Sequence, residues 1–397
     1  MLSQQWRAPI TGSQTSSRPL KIAQIAPLIE SVPPRLYGGT ERIVSYLTEE
    51  LVSQGHDVTL FASGQSITSA RLVTCCDQAL RQKGAPDHIP HYLLMLDKVR
   101  RIAAQFDILH FHIDQLHFPV FRDLAAKTLT TLHGRQDLPD LKQFYAGFPE
   151  MPLVSISDSQ RRALPRANFV GTVLHGLPPH LFAPTLAPRG GYLAFLGRVS
   201  PEKGLDDAIA IANAVELPLR IAAKVDGPDK AYFHREIEPL LGRPGIEFIG
   251  EIDDRQKNRF LGDARALLFP IGWPEPFGLV MIEAMACATP VLAYRCGSVP
   301  EVIDEGVTGH VVEGLDEALC KIGSVLALDR GRIRRRFEQR FSAARMAREY
   351  VALYRELLGA TVEETECPFP ILVSGRRLVD HVDDDALRAE DDIHGAP

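Results

Sequence analysis

Two glutamates, Glu275 and Glu283, flank a predicted strand-to-helix turn and are the most informative groups in the sequence. Pro274 and Pro276 stiffen the first part of this segment, and Gly278 opens a run of helix-forming residues. One carboxylate is therefore expected in a loop and the other inside a helix. The free amides of that helix's first turn would lie between them as an anion site. Such a site suits a ligand with hydroxyls at both ends and phosphate in the middle, as in a nucleotide sugar.

A second segment, Gly197 to Gly204, directly follows a predicted strand and carries Arg198 and Lys203 at the strand's carboxyl end. Arginine can bind two phosphate oxygens at once, and lysine acts as a mobile point charge. Both cations suit a diphosphate and would stabilise the charge that develops on a leaving nucleoside diphosphate. The alternative is a solvated turn that contains the two cations without binding anything.

The strands and helices that position these groups alternate along the chain. This alternation predicts an α/β protein with doubly wound parallel sheets. The first helix is predicted over Thr40 to Gln54, with Thr40 as its N-cap. Gly38 and Gly39 precede it, where a backbone amide could approach a phosphate or sugar; a simple loop glycine pair is the alternative. The predicted strands are 22–26, 58–62, 108–111, 128–132, 153–156, 169–173, 192–196, 219–223, 246–249, 266–269, 291–293 and 310–312.

Length and composition predict two domains, because 397 residues exceed one ordinary hydrophobic core. Ligands of such open α/β sheets bind in the crevice at the carboxyl ends of the strands, here between the two domains. The predicted divisions are a disordered arm at 1–19, a Rossmann-like domain at 20–182, a linker at 183–191, a second Rossmann-like domain at 192–340, a helix at 341–358 that packs near the linker or on the first domain, and a flexible acidic tail at 359–397.

Charge and composition exclude several function classes. The net charge is −6, and residues 359–397 contain ten acidic and three basic side chains, so the rest of the chain is nearly neutral and bulk nucleic-acid binding is not expected. No long apolar run predicts a membrane-spanning helix, and the first residues lack a signal-peptide core, so we expect a cytoplasmic protein. The six cysteines lack metal-ligand spacing and are expected to be buried thiols.

These motifs together resemble those of a known family. The chain resembles the retaining glycosyltransferases of the GT-B fold in the large bacterial family GT4, the glycosyl transferases group 1. It carries Gly-Arg-x4-Lys-Gly at Gly197 to Gly204, Glu-x7-Glu from Glu275 to Glu283, and Gly-Gly-x-Glu at residues 38–41. The likeness runs from about Lys21 to Leu358. It implies two Rossmann-like domains that face each other across a cleft, the first on the acceptor side and the second binding the donor.

The resemblance also implies roles for individual residues. Arg198 and Lys203 would bind the donor diphosphate, Glu275 would contact the transferred sugar, and Glu283 would hold the ribose hydroxyls. His133 matches the family's cleft histidine, which contacts the donor sugar or the nearby acceptor; a structural histidine is the alternative. The remaining contacts would come from Gly38 and Gly39 and from the backbone amides of Phe277, Gly278 and Leu279.

No metal or other cofactor is expected, since cations and helix amides serve instead in such enzymes. The resemblance also implies same-face attack in which the leaving phosphate itself takes the acceptor proton, so that no dedicated protein nucleophile would be needed. His110, His112, His133 and His175 lie at predicted strand ends, where several are expected to point into the cleft. His112 and Asp114 suggest a metal pair, but spacing places no third ligand beside them.

The sequence departs from the family pattern at three places. His175-Gly176-Leu177 stands where many relatives have Asn-Gly and a branched residue, which leaves the acceptor-side geometry open. Ala288 replaces a common glycine, and Ser298 replaces the second glycine of a pair, where it could alter the loop beside the diphosphate.

The arginine-rich stretch 330–340 is expected to be a solvated helical face rather than a site for RNA or acidic lipid.

The sequence therefore predicts a hexosyltransferase that uses a nucleoside diphosphate sugar, with UDP favoured over GDP or ADP on family frequency. The acceptor hydroxyl could belong to a glycan, a lipid or a small metabolite, and peripheral contact with the inner membrane face is left open. The alternatives are a nucleotide-sugar epimerase or a phosphorylase on the same frame, and a noncatalytic protein that only binds the nucleotide sugar.

Overall fold

The computed structural model describes residues 18–36 and 38–363, without the side chains of 360–363. Most of the predicted N-terminal arm and acidic tail, and Cys367 with them, lie outside these residues. The described chain forms two parallel sheets, one of seven strands in the first half and one of six in the second. The predicted two-domain, Rossmann-like α/β fold is thereby confirmed.

The first sheet has the strand order β3-β2-β1-β4-β5-β6-β7, in which every pair is parallel. Because the order reverses next to β1, helices cover both faces and the strand ends open a crevice at that point. The strands are β1 (Lys21–Ile25), β2 (Asp57–Ser63), β3 (Arg71–Cys76), β4 (Ile108–Phe111), β5 (Thr128–Thr131), β6 (Leu153–Ser155) and β7 (Phe169–Thr172).

The second sheet has the order β10-β9-β8-β11-β12-β13 and is also parallel. Its strands are β8 (Leu193–Arg198), β9 (Leu219–Lys224), β10 (Ile246–Gly250), β11 (Ala266–Phe269), β12 (Val291–Tyr294) and β13 (Gly309–Val312). All twelve predicted strands are present, with ends shifted by no more than two residues. The unpredicted strand is β3, whose side chains are only partly buried at the sheet edge, so its sequence lacks a continuous apolar run.

Fifteen α-helical segments are assigned in the described chain, and short 3-10 or π-helical turns occur at 103–105, 122–127, 201–203, 227–229 and 233–237. The helices are α1 (Gly39–Ser53), α2 (Leu80–Lys83), α3 (Ile89–Ile102), α4 (Phe118–Phe121), α5 (Pro139–Ala146), α6 (Asp158–Arg162), α7 (Leu205–Ala214), α8 (Lys230–Tyr232), α9 (Glu238–Leu241), α10 (Asp254–Gly262), α11 (Leu279–Ala286), α12 (Val299–Val302), α13 (Leu315–Leu326), α14 (Arg330–Arg340) and α15 (Ala343–Glu363).

Helix α1 begins earlier than expected, and Thr40 is not its cap. Gly38 occupies the N-cap position with φ of 153°, and no side chain caps the helix there. Thr40 lies inside the first turn, so the capping prediction was wrong. The amides at the start of α1 are therefore not covered by a capping side chain.

The last helix, α15, returns to the first domain and extends to Glu363, past the predicted end at Leu358. Two of its tyrosines are fully buried there: Tyr350 bonds Thr131 at 2.9 Å and Tyr354 bonds His110 at 2.8 Å. These hydroxyls find polar partners inside the domain, so burial leaves neither unpaired. Helix α15 thus contributes to the core beneath the first sheet.

The arginine-rich helix α14 is only partly a solvated face: Arg332 and Arg335 are exposed as expected, but the expectation was wrong for Arg330, Arg334 and Arg340. The Arg330 side chain is buried and donates to the carbonyls of Thr185, Gly262 and Ala264. Arg334 likewise donates to carbonyls of the chain between the two sheets, and Arg340 pairs with Asp304. Because Arg330 and Arg334 donate to backbone carbonyls of residues 179–185, they attach the linking segment to the second domain.

The cysteines are free where the structure describes them, but not all are buried. Cys287 is buried and Cys320 is exposed, so the expectation of buried thiols was wrong for Cys320. Burial raises the pKa of the Cys287 thiol to about 12, which keeps it protonated at neutral pH. Among the described helices, none has the length and apolar character needed to cross a membrane.

Candidate active site

A cavity of about 510 Å³ lies between the two domains, at the carboxyl ends of the strands of both sheets. Its volume is in the range of small-molecule sites. Every residue that the sequence assigned to the site lines it: Gly38, Gly39, His133, Arg198, Lys203, Glu275, Phe277, Gly278, Leu279 and Glu283. The structure therefore brings together four sequence segments that are far apart along the chain.

Lys203 reaches the cavity because Gly204 turns the chain sharply after it. Gly204 has φ of +66°, and a Cβ there would lie 2.1 Å from the carbonyl oxygen of Pro270. This close approach holds the turn after β8 against the loop after β11. The Lys203 ammonium consequently lies 2.5 Å from a carboxylate oxygen of Glu275. The segment Gly197 to Gly204 and the segment from Glu275 to Glu283 thus meet through their charged side chains.

Trp273 contacts both members of this ion pair, and sequence reasoning did not identify it. Its indole N–H donates to the same Glu275 oxygen at 3.1 Å, and the Lys203 ammonium lies 5.1 Å from its ring centroid. Arg135, from the first domain, approaches the ring to 5.7 Å. Cations above an aromatic face are attracted by its quadrupole. The only sequence signal for Trp273 is its position two residues before Glu275.

The backbone of Glu275 is fixed by the segment in which the chain departs from the family pattern. Gly297 has φ of +56°, and a Cβ there would lie 2.4 Å from the backbone nitrogen and oxygen of Glu275. The Ser298 N–H donates to the Glu275 carbonyl at 3.0 Å, and its hydroxyl donates to the Phe277 carbonyl at 2.9 Å. Ser298 therefore fastens the loop beside the predicted diphosphate site.

Arg198 lies at the edge of the cavity between two acidic side chains. Its guanidinium is 2.6 Å from Glu202 and 3.5 Å from Asp229. About a third of the side chain is exposed, so a ligand oxyanion can reach the group from the cavity. The arrangement orients the guanidinium without burying it.

Helix α11 begins between the two glutamates, as the sequence predicted. Its N-cap is Gly278, so no side chain caps the first-turn amides, and these carry the partial positive charge of the helix start. Glu283 lies one turn further on and is buried, with 4% of its surface exposed. The Lys257 ammonium lies 2.9 Å from a Glu283 oxygen and 3.4 Å from Asp254.

An ion pair across the cleft joins this end of the cavity to the first domain. Arg42, on α1, contacts Asp254 on α10, and it also donates to the Leu36 carbonyl at 2.7 Å. The Arg42 side chain is 6% exposed. Arg42, Asp254, Lys257 and Glu283 therefore form one charged chain from the first domain to the buried glutamate. Sequence reasoning did not find it, because its members are spread over three helices, α1, α10 and α11, that only the fold brings together.

A second set of contacts joins the domains on the other side of the cavity. The Ser157 hydroxyl donates to the Pro276 carbonyl at 2.6 Å. The carboxylate of Glu301 accepts from the backbone N–H groups of Asp158 and Ser159, each at 2.7 Å, at the start of α6. The domains are therefore in contact on both sides of the site.

The strand-end histidines divide into two groups, which corrects the expectation that several point into the cleft. His133 and His175 line the cavity, whereas His110 and His112 are buried behind them in the first domain. In the described part of the chain, no group of three potential ligands could hold a metal ion. Asp114 is instead partly buried beside the His133 backbone N–H, and loss of hydration raises the pKa of its carboxyl to about 6.

His133 is a neutral imidazole in this environment. Burial lowers its pKa to about 3. The His133 ring stacks on the His175 ring, with 5.3 Å between the two ring centroids. Its Nδ1 is buried and has no hydrogen-bond partner among the described residues. A neutral group of this kind can orient a hydroxyl but is a poor proton acceptor for catalysis.

Comparisons with known proteins agree with this geometry. A family model described as Glycosyltransferase Family 4 matches residues 37–175, and one described as Glycosyl transferases group 1 matches residues 182–340. Over 320 residues the chain is 27% identical to a phosphatidyl-myo-inositol mannosyltransferase of Propionibacterium freudenreichii subsp. shermanii, covering 69% of this chain and 78% of the relative.

Solved structures share the fold over about 85% of the chain. AviGT4, a glycosyltransferase involved in avilamycin A biosynthesis, superposes with a TM-score of 0.67 at 24% identity, covering 86% of this chain and 98% of that one. Anabaena Alr3699/HepE, solved in complex with UDP-glucose, superposes with a TM-score of 0.64 at 16% identity, covering 85% of this chain and 100% of that one.

Proposed function

Because the chain belongs to the glycosyl transferases group 1 and is a glycosyltransferase of the GT-B fold, we propose that it transfers a hexose from a nucleoside diphosphate sugar to an acceptor hydroxyl, with retention at the anomeric carbon. One observation carries the proposal. Two cations, an uncapped helix start and two glutamates converge in a single cavity between the domains.

The proposed donor lies along the cavity with its diphosphate at Arg198, Lys203 and the first turn of α11. Glu275 then contacts the sugar, and Glu283 accepts hydrogen bonds from the ribose hydroxyls. This orientation is supported by the charges: the cations and helix amides meet the anionic middle of the donor, and a carboxylate meets the hydroxyls at each end.

In the proposed reaction the bond from the anomeric carbon to the β-phosphate oxygen breaks, and a bond to the acceptor oxygen forms on the same face. The acceptor proton passes to the departing phosphate, so a nucleoside diphosphate and a glycoside are the products. Lys203 and Arg198 stabilise the charge that grows on the leaving group. Glu275, held by Lys203 and Trp273, orients the sugar while positive charge develops on it. No step requires a metal or another cofactor.

We propose UDP as the nucleotide, a cytoplasmic location, and a glycan, lipid or small metabolite as the acceptor on the first-domain side. Alr3699/HepE was solved with UDP and with UDP-glucose, which supports a UDP-sugar as the first donor to test. The acceptor would enter past the loops of the first domain that line the cavity.

Thermal unfolding with UDP, GDP, ADP and their sugars tests the donor directly, because a ligand of the native state raises the unfolding temperature by mass action. UDP-sugars are expected to give the largest shift. Incubation with the selected donor and a panel of acceptors should then release UDP and yield a glycoside of unchanged anomeric configuration. Inversion of configuration, or an epimerised sugar without UDP release, would contradict the proposal.

A further inference from the structure

A chain of hydrogen bonds runs from the interior of the first domain to His133 at the cavity. Gln24 is on β1, His112 follows β4, and His133 follows β5, so three neighbouring strands contribute one residue each. The Gln24 side-chain oxygen lies 2.7 Å from His112 Nε2. His112 Nδ1 in turn lies 2.9 Å from His133 Nε2.

The direction of these hydrogen bonds follows from the chemistry of the groups. The Gln24 amide oxygen can only accept, so His112 donates through Nε2–H. A neutral imidazole carries one N–H, and His112 Nδ1 is therefore an acceptor. His133 must donate to it through Nε2–H, which leaves a lone pair on His133 Nδ1. That atom is the buried nitrogen with no partner among the described residues.

The Gln24 amide also has a partner on the opposite side, on α15. Its nitrogen donates to the Tyr354 hydroxyl at 3.2 Å, and that hydroxyl lies 2.8 Å from His110 Nδ1. His110 Nε2 is 2.8 Å from the Thr131 hydroxyl, so His110 also has both ring nitrogens bonded. All four of these side chains are buried, and a reversed amide would have to reverse the whole network.

We propose that Gln24 and His112 are positioning residues that hold His133 in its Nε2–H form, so that Nδ1 accepts a hydrogen bond from a hydroxyl of the donor sugar. This inference rests on the proposed function. A lone pair directed at the sugar favours the positive charge that develops on it during transfer, whereas an N–H would present the positive end of its dipole. The buried network fixes that choice before the donor binds.

The protonation state of His133 can be read without any activity assay. Long-range 1H–15N correlation spectra of the full-length protein with 15N-labelled histidine distinguish the two neutral forms, and a His133→Asn variant identifies the signals. The expected result is protonation at Nε2. In Gln24→Leu, which removes the acceptor oxygen, His133 should populate both forms. In Gln24→Glu, the buried carboxyl group shares a proton with His112, which then carries Nδ1–H and donates to His133 Nε2, so His133 should change to its Nδ1–H form.

Kinetics with UDP-glucose, followed by UDP release, test the consequence. Gln24→Leu should lower kcat about tenfold with KM changed by less than about twofold, and Gln24→Glu, which reverses the form of His133, should lower kcat at least as far. A purely structural role would lower the unfolding temperature of both variants without this split between kcat and KM.

Three results would overturn the inference: protonation of His133 at Nδ1 in the unsubstituted protein, an unchanged His133 spectrum in Gln24→Leu, or a changed spectrum with unchanged kcat. If Gln24→Leu does not fold, the spectra of the unsubstituted protein and of Gln24→Glu decide. If the unsubstituted protein turns over no nucleotide sugar, the proposed function fails, while the spectra still report whether His133 is held as stated.

Discussion

Lys203 and Glu275 form an ion pair at 2.5 Å that joins the turn after β8 to the loop before α11. Both side chains are less than a fifth exposed, so the pair is partly shielded from water and salt. In the proposed reaction the Lys203 ammonium stabilises the leaving diphosphate, and the Glu275 carboxylate orients the sugar. The pair thus holds the group assigned to the diphosphate next to the group assigned to the sugar.

Replacing Lys203 with alanine should lower kcat/KM for the donor by about two orders of magnitude or more, because a cation beside the leaving group stabilises the transition state more than the bound substrate. UDP release from the preferred UDP-sugar measures this. Lys230→Ala, which removes an exposed lysine from the same domain, is the matched control. Wild-type turnover in Lys203→Ala would show that the lysine has no diphosphate role.

Replacing Glu283 with glutamine should weaken UDP binding by about 10- to 100-fold, since hydrogen bonds to a charged group contribute roughly 1.5–3 kcal/mol. Titration calorimetry with UDP measures the affinity. The exposed Glu313→Gln is the control on the same domain. If UDP binds Glu283→Gln as tightly as it binds the unsubstituted protein, the ribose does not lie at this carboxylate.

The ion pair between Arg42 and Asp254 should couple the two domains measurably. A double-mutant cycle with Arg42→Met and Asp254→Asn is expected to give a coupling free energy of about 1–3 kcal/mol, because Arg42 is almost fully shielded from water. Denaturant unfolding measures it. The exposed pair Arg220 and Glu247 should give roughly 0.2–1 kcal/mol in the same experiment. Equal coupling in both cycles would argue against a special role for the cross-cleft pair.

Acid should destabilise the protein through its buried histidines. Burial lowers the pKa of each below the ordinary value near 6.5, to about 3 for His133. The unfolded chain therefore binds more protons than the native state below about pH 6.5, and stability present above that pH is lost as pH falls, by up to about 1.4 kcal/mol per pH unit for each histidine. The other four are His110, His112, His117 and His175.

Two carboxyls act in the opposite direction. Loss of hydration raises the pKa of Glu41, and that of Asp114 to about 6, so each stabilises the native state as pH falls. Five histidines outnumber them, and the unfolding temperature should drop as pH is lowered from 7 to 5. His234→Gln, at an exposed position, should leave the slope unchanged. A flat or rising profile would mean that the buried histidines are protonated in the folded protein.

Ala288 should tolerate glycine and resist branched residues. It has φ of +65° at the end of α11, where the N–H groups of Ala288 and Thr289 donate to the carbonyls of Met285 and Ala284, the hydrogen bonds of a Schellman motif. We expect Ala288→Gly to change the unfolding free energy by less than about 1 kcal/mol, because relief of backbone strain offsets the lost methyl group. Ala288→Val should destabilise by about 2 kcal/mol or more. Equal stability of the two variants would contradict this assignment.

The sequence predicts the parts of the structure that local pattern determines. Alternating apolar runs give twelve of the strands, and the spacing of Glu275 and Glu283 places one in a loop and one in α11, where the structure has them. The ends of these strands then determine that Arg198 and Lys203 reach the same cavity as the glutamates.

Contacts between distant segments could not be predicted in this way. Arg42 and Asp254 are 212 residues apart, and nothing in the spacing around either residue indicates the other. The arginines of α14 look solvated because their charges dominate the local pattern, yet the guanidinium groups of Arg330, Arg334 and Arg340 bond backbone carbonyls that only the fold brings near. The pairing of His112 with His133 likewise depends on the order of β4 and β5 in the sheet.

The chain crosses between the domains at two places that lie side by side. Leu177 and Ser342 form a parallel bridge, with the Leu177 N–H donating to the Phe341 carbonyl at 2.8 Å and the Ala343 N–H donating to the Leu177 carbonyl at 2.9 Å. Both crossings therefore meet at one point, where backbone hydrogen bonds tie the strand of the chain that leaves the first domain to the strand that returns to it. Arg198, Lys203, Glu275 and Glu283 all follow the first crossing and precede the second, so a single uninterrupted stretch of chain supplies the charged groups of the proposed donor site.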